Sequence, residues 1–158
     1  EQMETKFDHE KLDVYQVGLQ FIKWATDLLS LVDSKKYPYT REVCDHFDRA
    51  SLSILLNTAE GNGKRQRGIR AKFFDDARGS ATECAACLDA LVAKGVLDES
   101  GVAEGKALLR RIVAMLCKLV DRYSDPHNLR EDRAEYNVNR SLKTEYEDEN
   151  EGEDDSIK

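Results

Sequence analysis

The segment ALLRRIVAMLCKLVDRY, residues 107–123, indicates the fold class of this chain. Its apolar residues recur at spacings of three and four, the pattern that buries one face of an α-helix against nearly parallel neighbours. The residues on this face are Leu108, Leu109, Ile112, Met115, Leu116, Leu119 and Tyr123. The pattern predicts a long helix that begins near Asp98 or Ser100.

Two similar patterns lie near the start of the chain. The first runs from about His9 to Asp33 and is broken by Lys-Lys-Tyr-Pro-Tyr (35–39), because proline disfavours helix in the residue before it. The second begins near Thr40, a suitable N-cap, and is predicted to stop at Gly61, where glycine can take the left-handed conformation that closes a helix. The residues predicted to face inward are Leu12, Tyr15, Leu19, Ile22 and Leu29, then Val43, Phe47, Ala50, Ile54 and Thr58.

A third pattern ends at Gly95 and completes the set. Its inward residues are Phe73, Ala77, Ser80 or Ala81, Cys84, Leu88 and Leu91. The connections between the first and second helices and between the third and fourth are short, so these neighbours should be antiparallel. Runs of β-branched residues typical of strands are missing. The sequence therefore predicts an all-α, antiparallel, up-and-down four-helix bundle.

Charge is distributed unevenly along the 158 residues. The formal net charge is −7, yet residues 144–158 hold eight acids and one base, while the first 143 residues hold 23 of each. We predict an N-terminal extension (1–8), the bundle (9–124), a charged linker or short helix (125–143) and an acidic, disordered tail (144–158). No membrane-length apolar run or signal segment is visible, and the four cysteines do not suggest a secreted disulfide scaffold, so a cytoplasmic protein without membrane contact is expected.

The acidic tail allows three interpretations. It can be a solvated, solubilising extension, it can mimic a polyanion and cover basic residues of the bundle, or it can dock on a separate basic protein.

The densest candidate chemistry lies in AEGNGKRQRGIRAKFF, residues 59–74, between the second and third helical patterns. Five cations fall within nine residues without an acid among them: Lys64, Arg65, Arg67, Arg70 and Lys72. Cations beside flexible glycines at a helix N-terminus suit phosphate, so an RNA or DNA backbone is the predicted ligand. The alternative is a solvated connection, or one that pairs with acids of a neighbouring subunit. A P-loop is excluded because Ile69-Arg70 stands where Lys-Ser/Thr is required.

Other groups of polar residues, cysteines and histidines indicate structural roles. Asn57, Glu60 and Glu83 are predicted to form a buried polar network, joined to backbone or to Arg49, that fixes bundle register or a subunit interface. The Cys84-x-x-Cys87 pair lies in mid-helix, so buried thiols are favoured over a zinc or redox site. The three histidines provide no Glu-x-x-His pairs for a di-iron centre. No cofactor, metal or catalytic residue is predicted.

Three stretches resemble the 23S rRNA intervening-sequence (S23-type) protein family: LDVYQ (12–16), RASLSILLNTAEGNGKR (49–65) and FFDDARGSATECAACLDAL (73–91). The family's pattern is similar to N-x-A-E-G-x-G-[RK] followed by F-[FL]-x-x-A-x-G-S-x-x-E. The matching residues are Asn57, Ala59, Glu60, Gly61, Gly63 and Lys64, then Phe73, Phe74, Ala77, Gly79, Ser80 and Glu83. Gln66, Ile69 and Asp76 depart from it, and the resemblance covers about residues 10–123.

This resemblance implies an antiparallel four-helix bundle that assembles as a homopentamer, and a proposed but unproven link to RNA. It also extends, distantly, to the accessory variability protein of diversity-generating retroelements, which binds a reverse transcriptase and nucleic acid. We therefore predict a non-enzymatic oligomeric scaffold or adaptor that contacts RNA through the five cations. The alternative is a protein–protein interaction module, such as a reverse-transcriptase accessory subunit, with no nucleic-acid binding of its own.

Overall fold

The computed structural model describes residues 6–33 and 35–124, and every regular element in these ranges is helical. The long helices are α1 (Asp13–Leu31), α2 (Arg41–Gly63), α3 (Arg67–Ala93) and α4 (Glu99–Tyr123). Short 3₁₀ turns, Asp8–Lys11 and Pro38–Thr40, precede α1 and α2. The four helices lie in a compact unit that ends at Tyr123, whereas the predicted linker (125–143) and acidic tail (144–158) fall outside the described residues.

Each helix packs mainly on two neighbours: α1 on α2 and α4, and α3 on α2 and α4. Two contacts fix the antiparallel register of α2 and α3. The Cys84 thiol lies 3.9 Å from the carbonyl oxygen of Phe47, and the hydroxyls of Ser53 and Ser80 are 2.9 Å apart. The predicted four-helix bundle is confirmed.

The core agrees in part with the sequence pattern on α2, α3 and α4, although the predicted Phe73 is half-buried and its neighbour Phe74 is buried in its place. Phe47, Ala50, Ile54 and Thr58 of α2 are buried, as predicted. So are five residues predicted on α3 (Ala77, Ala81, Cys84, Leu88 and Leu91) and three on α4 (Leu109, Ile112 and Leu116).

The predicted inward face of α1 is wrong. The buried residues are Val14, Val17, Gly18, Phe21, Ala25 and Leu28. The predicted Leu19 is 42% exposed, and its companions are half-buried. Helix α1 has two adjacent apolar stripes, and the one containing Phe21 enters the core while the leucine-rich one lies at its edge.

Helix ends differ from the prediction at one glycine and agree at another. Gly61 does not end α2, because the helix continues to Gly63 and Gly61 is buried inside it. Gly95 does follow α3 with a φ of 69°, the left-handed conformation that glycine tolerates. At the start of α4, the Asp98 carboxylate accepts a hydrogen bond from the backbone N–H of Gly101 at 2.7 Å and acts as a cap.

Gly105 allows α4 to approach α1. This glycine is buried, and a Cβ atom built on it would overlap the indole ring of Trp24. The Trp24 ring in turn stacks on Phe21, with ring centroids 5.8 Å apart. The absence of a side chain at Gly105 is therefore what admits the tryptophan between the helices.

Candidate nucleic-acid interface

The five predicted cations lie at the corner where α2 turns into α3. The corner is shorter than the sequence suggested, because α2 continues to Gly63 and α3 begins at Arg67. Lys64 and Arg65 lie in the connection, whereas Arg67, Arg70 and Lys72 lie in the first turns of α3. A Cβ built on Gly61 would lie 3.0 Å from Cβ of Phe73, so this glycine serves close packing and does not supply a flexible loop.

Arg70 binds the end of α2. Its Nη2 donates to the carbonyl oxygen of Asn62 at 2.6 Å, and its Nε donates to that of Lys64 at 3.1 Å. These carbonyls belong to the last turn of α2 and the residue after it, where backbone acceptors lack helical partners and the helix dipole favours a cation. The half-buried Arg70 side chain thus caps α2 and holds the corner together.

Three arginines lie around the ring of Tyr123. The guanidinium carbons of Arg67, Arg70 and Arg122 lie 5.3, 4.8 and 5.7 Å from the ring centroid. Arg67 Nη2 also donates to the carbonyl oxygen of Arg122. The ring itself packs on Phe74, with centroids 5.9 Å apart. The last turn of α4 therefore adds a cation to the cluster and supplies the aromatic surface around which it is arranged.

The remaining cations are weakly paired, and of these Lys64 is half-buried while Arg65 and Lys72 are exposed. Lys64 Nζ lies 2.9 Å from Glu60 Oε1 and 4.9 Å from the centroid of Phe73, and Lys72 Nζ lies 4.0 Å from Asp76. Arg65 is exposed, and no salt bridge to it is found among the described residues. Exposed pairs of this kind contribute only about 0–1 kcal/mol, so these cations can exchange their partners for a phosphate. We call Lys64, Arg65, Arg67, Arg70, Lys72 and Arg122 the basic end.

Sequence reasoning did not include Arg122 and placed Tyr123 in the core. Neither residue carries a local signal, since both lie more than fifty positions from Arg67. The signal that could have found them is topological: antiparallel packing of α3 and α4 brings the start of one to the end of the other.

The predicted polar network is not formed as one unit. Asn57 Nδ2 donates to Ser53 Oγ at 3.0 Å, Glu60 pairs with Lys64, and Glu83 Oε1 lies 3.3 Å from Nδ1 of His46. Both carboxylates are about half exposed. The polar contacts between α2 and α3 are therefore separate pairs, among them His46 with Glu83 and Ser53 with Ser80.

Two of the four cysteines are buried and two are half-buried. Cys84 and Cys87 are buried, as predicted, and all four cysteines are free. Burial raises the pKa of the Cys84 thiol far above its usual range, with smaller contributions from Cys87 and Glu83, and burial also raises the pKa of Cys87. Thiols in this state are poor nucleophiles and poor metal ligands. Within residues 6–33 and 35–124 no cluster of His, Cys, Asp and Glu is arranged to hold a metal ion, and no helix there is long and apolar enough to cross a membrane.

Comparison with known proteins places the chain in a family. The family model described as 23S rRNA-intervening sequence protein matches residues 10–118, which include all of α1, α2 and α3 and most of α4. No curated protein matches the sequence. The chain belongs to the 23S rRNA-intervening sequence protein family.

Proposed function

From its membership of the 23S rRNA-intervening sequence protein family, we propose that this protein is a non-enzymatic, homo-oligomeric scaffold that contacts RNA through the basic end. The observation that carries the proposal is the gathering of Arg67, Arg70 and Arg122 around Tyr123, beside the half-buried Lys64 and the exposed Arg65. Two helix ends contribute cations to one surface, which concentrates positive charge where a phosphate backbone can lie across it.

The local electrostatics favour an anion. The first turn of α3 contains no acid, and its N-cap residue, Gln66, makes no side-chain cap hydrogen bond. The backbone N–H groups and dipole of α3 therefore add to the charge of Arg65 and Arg67. Guanidinium groups form two-pronged hydrogen bonds with phosphate, which gives geometry as well as attraction.

Oligomerisation strengthens this proposal. Three leucines on α1 and α2 are between 42% and 56% exposed: Leu19, Leu52 and Leu56. The two helices pack closely there, since a Cβ on Gly18 would lie 3.2 Å from Leu55. We propose that this leucine surface forms the contact between copies, in a homopentamer. Several copies of one basic end raise a modest phosphate affinity through avidity.

The proposal is tested by fluorescence anisotropy with a labelled single-stranded RNA. The variant Arg65→Gln/Arg67→Gln/Lys72→Gln leaves Arg70 in place to hold the corner. We expect binding at least tenfold weaker at low salt. The slope of log K against log salt should fall by about 2, since each phosphate contact of a single strand contributes about 0.7.

The matched control replaces three exposed cations outside the basic end, Lys23, Arg110 and Arg111, by glutamine. It makes the same change in net charge. An affinity and salt slope that are equal in the two triple variants would refute the basic end as the binding surface.

The leucine surface also supports a second candidate function, a protein–protein interaction module such as a reverse-transcriptase accessory subunit. In that case the leucines bind a different protein and the basic end meets acidic protein surfaces. A wild-type protein that fails to bind either RNA or DNA at low salt, yet is monomeric by light scattering, would favour this alternative.

A further inference from the structure

A shallow groove of about 270 Å³ lies between the start of α1 and the last turns of α4. Its apolar lining comes from Leu12, Val14, Met115 and Leu119. Val14 is only 3% exposed and forms part of the core, while the other three are half-buried and pack against it. The groove is thus an apolar opening onto the bundle core.

Charged residues surround this opening. Lys118 and Arg122 line it from α4, and Asp13, the first residue of α1, lines it from the other side. Arg122 is shared with the basic end, because its guanidinium also lies beside Tyr123. The groove and the candidate phosphate surface are therefore contiguous through one residue.

The charges around the groove indicate its occupant, because Lys118 and Arg122 lie beside its apolar walls and favour an anionic ligand. A single planar ring fits. Proteins that bind single-stranded nucleic acids place Lys and Arg on the phosphates and stack the exposed bases on flat groups, which include the guanidinium of arginine. In this groove the flat group is the guanidinium of Arg122, and the apolar walls lie beside it.

We infer that this groove holds one nucleobase of a single-stranded nucleic acid whose phosphates lie on Lys118, Arg122 and the basic end. The inference rests on the proposed function and specifies its ligand, because a base inside a duplex is paired and stacked and cannot enter. Asp13 adds a preference. The Asp13 carboxylate can accept a hydrogen bond from the exocyclic amino group at position 4 of cytosine. Uracil has a carbonyl oxygen at this position, which cannot donate, so cytosine should be preferred.

The test compares three fluorescein-labelled RNA probes of equal length: oligo(C), oligo(U) and a duplex. Met115→Trp fills the groove. Val113→Trp is its control, a half-buried residue on the same helix that lines the separate groove between α3 and α4. For the wild type we expect oligo(C) to bind tightest and the duplex weakest.

In Met115→Trp, oligo(C) binding should weaken about five- to 150-fold, the range for losing one stacked base, while duplex binding stays the same. Val113→Trp should retain wild-type affinities. Asp13→Asn should bring oligo(C) and oligo(U) to equal affinity. Circular dichroism and light scattering on each variant confirm that helix content and subunit number are unchanged.

Failure of the groove inference can be distinguished from failure of the proposed function. Equal binding of duplex and single strand, unaffected by Met115→Trp but lost when the basic end is neutralised, overturns the groove and leaves the proposed function standing. A change in subunit number in Met115→Trp identifies the groove as a contact between copies and overturns the inference. A wild-type protein that binds none of the probes overturns both.

Discussion

Replacing Arg70 by glutamine should lower the free energy of unfolding by about 2 kcal/mol. The Arg70 guanidinium donates two hydrogen bonds to carbonyl oxygens at the end of α2, at 2.6 and 3.1 Å. A hydrogen bond that involves a charged group contributes about 1.5–3 kcal/mol, and a cation at a helix C-terminus adds about 0.3–1 kcal/mol. Because glutamine can retain one of the two bonds, the loss is one bond and the charge at the helix end, about 1.8–4 kcal/mol. The side chain is only half-buried, so the expected loss is near the lower end of this range.

Urea denaturation at fixed protein concentration measures this loss. With an m-value of about 2 kcal/mol/M, the midpoint should fall by about 1 M. Arg65→Gln is the matched control, because Arg65 is exposed and its replacement should change stability by less than about 0.5 kcal/mol. RNA affinity should show the reverse order, with the larger loss in Arg65→Gln. Equal denaturation midpoints for the two variants would refute the capping role of Arg70.

Three further predictions concern the bundle and its surfaces. Gly105→Ala should lower the free energy of unfolding in urea by about 1–3 kcal/mol, because the new methyl group overlaps Trp24. This loss should outweigh the higher helix propensity of alanine, and adding Trp24→Leu to the same chain should recover part of it. The hydrogen bond that Asp98 accepts from an α4 backbone N–H lowers the pKa of the Asp98 carboxyl in the folded protein. The ionised carboxyl therefore stabilises the fold fully above the unfolded-state pKa, and this stabilisation is lost as the pH falls through the lower folded-state pKa. Urea titrations at pH 6 and pH 3 should therefore differ less for Asp98→Ala than for the wild type. Leu52→Lys/Leu56→Lys should reduce the mass measured by light scattering to that of a monomer while circular dichroism keeps its helical signal, and an unchanged mass would exclude the leucine surface as the subunit contact.

The fold could be predicted from the sequence because three helices each have a single apolar face. On α2 four of the five residues at the predicted spacing are buried (Phe47, Ala50, Ile54 and Thr58), and the fifth, Val43, is half-buried. On α1 the same reasoning failed, since two apolar stripes compete and periodicity does not rank them. The structure places Phe21 against Phe47, with ring centroids 5.9 Å apart, and this aromatic contact selects the stripe that enters the core. Such a choice depends on the partner helix and is not encoded in the spacing within α1.

The candidate site could be predicted only in its composition. Five cations in nine residues are visible in the sequence, whereas the extension of α2 to Gly63 and of α3 back to Arg67 is not. Glycine-rich segments favour a loop, yet Gly61 is helical because Phe73 and Phe74 pack directly against it. Arg122 and Tyr123 join the site only through tertiary contact, so no local pattern could have included them.

Some residues of the basic end stabilise the fold, whereas others are available to a ligand. Arg70 donates to backbone carbonyls that have no other helical partner, so moving it to a phosphate would expose the end of α2. Lys64 and Lys72 pair with exposed carboxylates one turn away, and these pairs cost little to exchange. A polyanion should therefore bind Lys64, Arg65 and Lys72 readily while Arg70 stays on α2. Because Arg70 also lies beside Tyr123, the residue that holds the corner also helps to order the surface around it. Rigid placement of this kind lowers the conformational entropy lost on binding, which favours a specific orientation of the bound strand.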